Sequence, residues 1–219
     1  GTVYKRFEEI AENPFRRKSV NDRSAVLQDD EAFIRTVARD YYSFINSTIR
    51  KYDSNHLLLG DKYDGNAGIP PFVLEEAKEY IDGLAVQYYQ IDPLEDHMSR
   101  IDYWQGLVDK PVLDTDSSFN VPKLKMPDPY GPHCATQYER GLRHKRYTEA
   151  FFGKPYAVGW LWCGYIDGLK GSGKPGTQEI HQHGGLKNEF DEPHTASTDI
   201  ITQTNRNIYK TACGGSEER

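Results

Sequence analysis

Lys110-Pro111-Val112-Leu113-Asp114-Thr115-Asp116-Ser117-Ser118-Phe119 reads as a short buried strand that ends abruptly in polar groups. Pro111 opens it, Val112 and Leu113 bury it, and carboxylates stand where the chain leaves it. Barrel folds of alternating strands and helices keep their reacting groups at the C-terminal ends of parallel strands. The stretch therefore marks a strand and a candidate site together. A second run, Ala157-Val158-Gly159-Trp160-Leu161-Trp162-Cys163, has the same character, apolar at first and polar or aromatic at its end.

Outward from these two runs, strand and helix patterns alternate. Phe33, Val37, Tyr41, Phe44, Thr48 and Ile49 recur at helical spacing and predict an amphipathic helix over 31–51, with Asp29-Asp30 as its cap. The apolar run His56-Leu57-Leu58-Leu59-Gly60-Asp61 predicts a strand near 57–61, of the kind buried on both faces. Pro70-Pro71 lead into a helix near 72–82, and a strand is expected over 84–89. Leu94, Met98, Ile101, Gln105 and Val108 outline the next helix. The strand at 111–116 precedes a Pro-rich loop, 117–135, and a helix over 136–152. The strand at 157–163 precedes a Gly-rich loop, 164–190, and a last helix over 194–212.

Loops after strands are long and polar and loops after helices are short, which places function on one face. The predicted class is α/β, with four βα units over 31–212 forming the C-terminal half of a (β/α)8 TIM barrel. An irregular segment, 1–30, precedes it and a tail, 213–219, follows. A half barrel leaves two strand edges and an inner apolar layer open. The reading therefore expects a partner, the N-terminal barrel half, from the same polypeptide or a separate chain. An open doubly wound sheet is the alternative. No strand is followed by a Gly-rich phosphate turn, and Gly171-Ser172-Gly173-Lys174 lacks the Walker spacing.

The chain has 219 residues, enough for a real core, and a net charge of −6, which argues against a nucleic-acid partner. No apolar stretch reaches the roughly 20 residues that cross a membrane. The three cysteines, Cys134, Cys163 and Cys213, have no metal spacing and imply no disulfide framework. His181 and His183 form a His-x-His pair without a nearby ligand partner, so neither metal nor cofactor is expected. Aromatic residues make up 12%, with 15 Tyr, and aromatic faces suit the apolar faces of sugar rings. The chain begins at Gly with no signal-peptide pattern and is read as a processed product or part of a longer chain.

Four pieces in order carry a resemblance. Asp53-Ser54-Asn55-His56-Leu57-Leu58-Leu59-Gly60 resembles the stretch before the fifth barrel strand of agarase-like and β-galactosidase-like retaining glycoside hydrolases. Lys110 to Phe119 looks like their seventh strand, and Val158 to Trp162 like their eighth. Gly184-Gly185-Leu186 with Asp191-Glu192-Pro193 is similar to the segment downstream. The resemblance implies the eightfold barrel, cleavage of a galactan-type (agar-like) carbohydrate, a secreted or periplasmic setting, and a nucleophile at Asp116. The family usually carries Glu there. Asp is one methylene shorter, and retaining chemistry needs its two carboxyl groups roughly 5–5.5 Å apart. The family's acid/base Glu follows an Asn at the end of the fourth strand, before the region covered here. Asn188-Glu189 has that dipeptide after the last strand and is read as a loop coincidence.

Substrate-contacting candidates are Asp61, Tyr88, Tyr89, His133, Trp160, Trp162 and His183, with Asp114 read as structural. Core packing and loop capping are the plain alternatives for most of them. Two functions follow: a glycoside hydrolase to which this chain supplies the nucleophile half, or a non-catalytic carbohydrate-binding relative on the same barrel.

Overall fold

Each apolar run needs a neighbour to cover it, and the chain supplies that cover by laying parallel strands beside one another under a layer of helices. The computed structural model describes residues 23–89, 92–122, 133–171, 178–182 and 184–213. Along them run α1 (Arg23–Arg50), β1 (Tyr63–Asp64), α2 (Pro71–Ala77), β2 (Leu84–Gln87), α3 (Leu94–Val108) and β3 (Val112–Ser117). Then come α4 (Gln137–Phe152), β4 (Ala157–Trp162), β5 (Gly168–Gly171), β6 (Gln178–Gln182), α5 (Thr195–Arg206) and α6 (Ile208–Ala212). β1 to β4 form one sheet in sequence order, and each neighbouring pair is parallel. Successive helices from α1 to α5 touch in sequence order, forming the second layer. This is the α/β architecture of four βα units.

The core lies between the layers. Leu84, Val86, Val112, Ile101 and Phe151 are fully sealed there, with Trp104 and Tyr147 beside them. Each such aliphatic or Phe side chain contributes roughly 1.5–3 kcal/mol by leaving water. α4 starts at a reciprocal cap. The Thr136 side chain accepts from Glu139 N at 3.1 Å, while Ala135 N donates to the Glu139 carboxylate at 2.8 Å.

Four features differ from the sequence expectations. The run at 57–61 forms no strand, and the first strand is the two-residue β1. Leu58 finds its partners in Asp82 instead: Leu58 N donates to Asp82 Oδ2 at 2.8 Å and Asp82 N donates to Leu58 O at 2.6 Å. Asp29 and Asp30 lie inside α1, not at its cap. The Gly-rich loop contains the antiparallel hairpin β5–β6. The last helix is interrupted at Asn207, where the backbone leaves the helical region.

The pairing of β3 with β4 is irregular, with its register shifting after Val112 and again after Asp114. Asp114 is opposite Trp160 and Ser117 is opposite Trp162, so three steps along β3 match two along β4. That extra residue is a bulge. On β4, Val158 and Leu161 are 61% and 54% exposed, on the strand that forms the sheet's outer edge among the described residues.

Candidate active site

Lys62, just before β1, meets Tyr89, Asp116 and Cys163, which stand at the C-terminal ends of β2, β3 and β4. Lys62 Nζ donates to Asp116 Oδ2 at 2.6 Å. The Cys163 thiol and the Tyr89 hydroxyl lie beside the same carboxyl group. Asp116 Oδ1 is shielded from solvent and takes no hydrogen bond among the described residues. Burial works to raise the Asp116 pKa, but the Cys163 thiol, the Lys62 ammonium and the Tyr89 hydroxyl outweigh it and hold the pKa below the ordinary carboxylate value. Lys62 is raised in turn, first by its bond to Asp116. Burial and the neighbouring Asp116 keep Cys163 a thiol, a weak donor rather than a nucleophile.

Asp114, two residues earlier, lives in a different environment. It is 0% exposed on the helix-facing side. Tyr147 OH donates to its Oδ2 at 2.6 Å and Ser117 Oγ donates to the same atom at 2.7 Å. Trp160 Nε1 donates to Ser117 Oγ at 2.8 Å, closing the network. Burial pushes the Asp114 pKa up to about 7, against the two hydroxyl donors. One strand thus carries a carboxyl group held low toward the open side and one pushed up toward the core.

The other sequence candidates scatter. Asp61 precedes β1 instead of ending it, and its carboxylate accepts from Tyr41 OH at 3.1 Å and Tyr42 OH at 2.8 Å. Tyr88 is buried and stacks on His97, with ring centroids 4.1 Å apart, while Tyr89 turns to Asp116. Trp160 stacks on His144 of α4 at 4.7 Å. Trp162 donates to Gly184 O at 2.5 Å and sits under the Arg140 guanidinium at 5.7 Å. Both indoles therefore pack on the helix-facing side, away from Asp116. His133 is exposed and bridges by its backbone to Asn120 beyond β3. His183 lies outside the described residues.

Behind β4 the loop is latched. Asp167 accepts from Gly185 N at 2.9 Å and pairs with His194 Nε2 at 3.0 Å. A side chain at Gly185 would collide with the backbone of Ile166 and Asp167, so the latch needs glycine there. Asn188 Oδ1 accepts from Phe190 N and Glu192 N, each at 2.9 Å, which is a loop role. Among the described residues no group of three or more His, Cys, Asp or Glu is placed to hold a metal ion. No described helix is long and apolar enough to cross a membrane.

Lys62 and Cys163 were missed as site residues. Lys62 was hidden because the apolar run ending at Asp61 set the strand end too early. A Lys alternating with the buried Tyr63 at the start of β1 was the available signal.

Comparison with known proteins gives the same architecture. An exo-β-agarase superposes with a TM-score of 0.73 at 22% identity, over 90% of this chain and 25% of that one. The agarase AgWH50C gives 0.73 at 21%, over 89% and 29%. A β-glucuronidase from an uncultured Clostridium gives 0.55 at 16%, over 77% and 30%. No family model and no curated protein matches. The chain shares the fold of agarase-like barrel glycoside hydrolases and spans between a quarter and a third of the length of these three structures.

Proposed function

We propose that the chain is the C-terminal half of a glycoside hydrolase barrel acting on a galactan-type, agar-like polysaccharide or oligosaccharide. The observation that carries it is Asp116, an ionised carboxylate at the end of β3, turned away from the core and gripped by Lys62. Its oxygen attacks the anomeric carbon or stabilises the oxocarbenium ion. As the glycosidic C–O bond breaks, a Glu supplied by the preceding barrel half gives its proton to the leaving oxygen. Water then releases the sugar from the carboxylate. The exposed Leu161, between the helix-facing Trp160 and Trp162, supports a second barrel half, because inner-layer residues of a closed barrel are covered. Replacing Asp116 by Asn in the complete protein is expected to reduce release of reducing sugar from agar-type galactans to background. Undiminished release removes Asp116 from the mechanism.

A second reading, a carbohydrate-binding relative without turnover, is favoured by one detail. Oδ2 of Asp116 is held by Lys62 and Oδ1 is shielded, so neither oxygen is free to attack until the pair opens. Binding of galactan oligosaccharides without any cleavage, across galactans and glucans, is the outcome that selects this reading.

A further inference from the structure

Asp114 and Asp116 are two residues apart and face opposite sides, which regular pleating does not allow. The bulge explains it. One residue too many lies between Asp114 and Ser117, so these two share the helix-facing side and Asp116 is turned to the other. A side-chain hydrogen bond spans the extra residue, from Ser117 Oγ to Asp114 Oδ2 at 2.7 Å, and the Asp116 backbone N–H acts on the same carboxyl group. Tyr147 ties that oxygen to α4, and Trp160 ties the serine to β4. A buried carboxyl is a costly way to fill a core position that Val112, two residues earlier, fills with carbon. Its Oδ1 has no partner among the described residues, so stability alone does not account for it.

We propose that Asp114 and Ser117 are positioning residues whose mutual hydrogen bond clamps the β3 bulge and so turns Asp116 into the mouth against Lys62. Without the clamp, the pleat returns Asp116 to the row of Asp114, toward Tyr147 and away from Lys62. The catalytic meaning of this rests on the glycosidase reading above; the clamp itself does not.

The test follows the Asp116 carboxyl through a carbon-detected NMR pH titration of the 219-residue chain. Its midpoint is expected below the ordinary carboxylate range in the unaltered chain. Ser117→Ala and Asp114→Ala are expected to move it up, in the direction given by Lys62→Met, which removes the cation outright. Asp114→Asn is expected to keep it low, because the Asn carbonyl accepts both hydroxyl bonds. An unmoved Asp116 midpoint in folded Ser117→Ala overturns the proposal. If Asp114→Ala fails to fold, Ser117→Ala, which removes one hydroxyl, decides. A raised midpoint in Ser117→Ala with undiminished turnover in Asp116→Asn keeps the clamp and removes the glycosidase reading. The opposite pair of results does the reverse.

Discussion

The two sides of β3 are built from the same few residues and act as two different solvents. On the helix-facing side, Val112, Asp114 and Ser117 are sealed under Tyr147 and Trp160, and a carboxyl there is pushed up to about 7. On the open side, Asp116 meets Lys62, the Cys163 thiol and the Tyr89 hydroxyl, and the same group is held below its ordinary value. Leu161, facing water on β4, shows how little that side is covered. A carboxylate's role is set by its surroundings rather than its residue type, and here one extra residue in a strand chooses the surroundings.

The largest test of this contrast is packing. Phe151 is fully buried and stacks on Tyr147 with centroids 5.8 Å apart. Phe151→Ala is expected to lower stability by about 3–5 kcal/mol in urea unfolding. Comparable tolerance of that change would mean the helix-facing layer is not the core.

The next effect is pH dependence. Burial, with Arg143 and Arg140 adding to it, lowers the pKa of His97 and of His144 to about 3. In the unfolded chain each takes a proton below about pH 6.5. The folded chain therefore loses stability as pH falls through that window. Asp114 works the opposite way, because the fold keeps its proton up to about 7 and the unfolded chain releases it above about 4. Two protons favour the unfolded state and one the folded, so stability is expected to drop about 1.4 kcal/mol per unit between roughly pH 6 and 4.5. Asp114→Asn removes the opposing group and is expected to double that slope, read from urea midpoints across pH. Equal slopes would show that Asp114 does not hold its proton in the fold.

The smallest effect belongs to the open side. Leu161→Ala is expected to change stability of the chain by no more than about 0.5 kcal/mol. A loss near that of Phe151→Ala would show that this side is covered after all.

The α/β class and its four βα units were legible because buried parallel strands leave short apolar runs with helical periods between them. Asp116 was legible for the same reason, standing where such a run turns polar. Its orientation was not, since period-two reasoning fails across a bulge and Asp114–Ser117 pairing is a contact the pattern does not encode. β1 was misplaced because the Leu57–Leu59 run lacks a strand on its outer side, and Leu57 stays 72% exposed. Trp160 and Trp162 read as substrate-contacting candidates; their partners on α4, His144 and Arg140, are set by tertiary packing that alternation along one strand cannot show. The hairpin β5–β6 was hidden by its glycines, which carry no strand signal.

The bare margin of β4 has a consequence for handling the chain. Six residues of edge strand, with two exposed apolar side chains and no strand on the side away from β3 among the described residues, make a template onto which another strand can add. Prepared by itself at high concentration, the chain is expected to form particles whose mass grows with concentration in light scattering. A lysine in place of Leu161 is the change that suppresses this growth, because a charge on an open edge opposes strand addition.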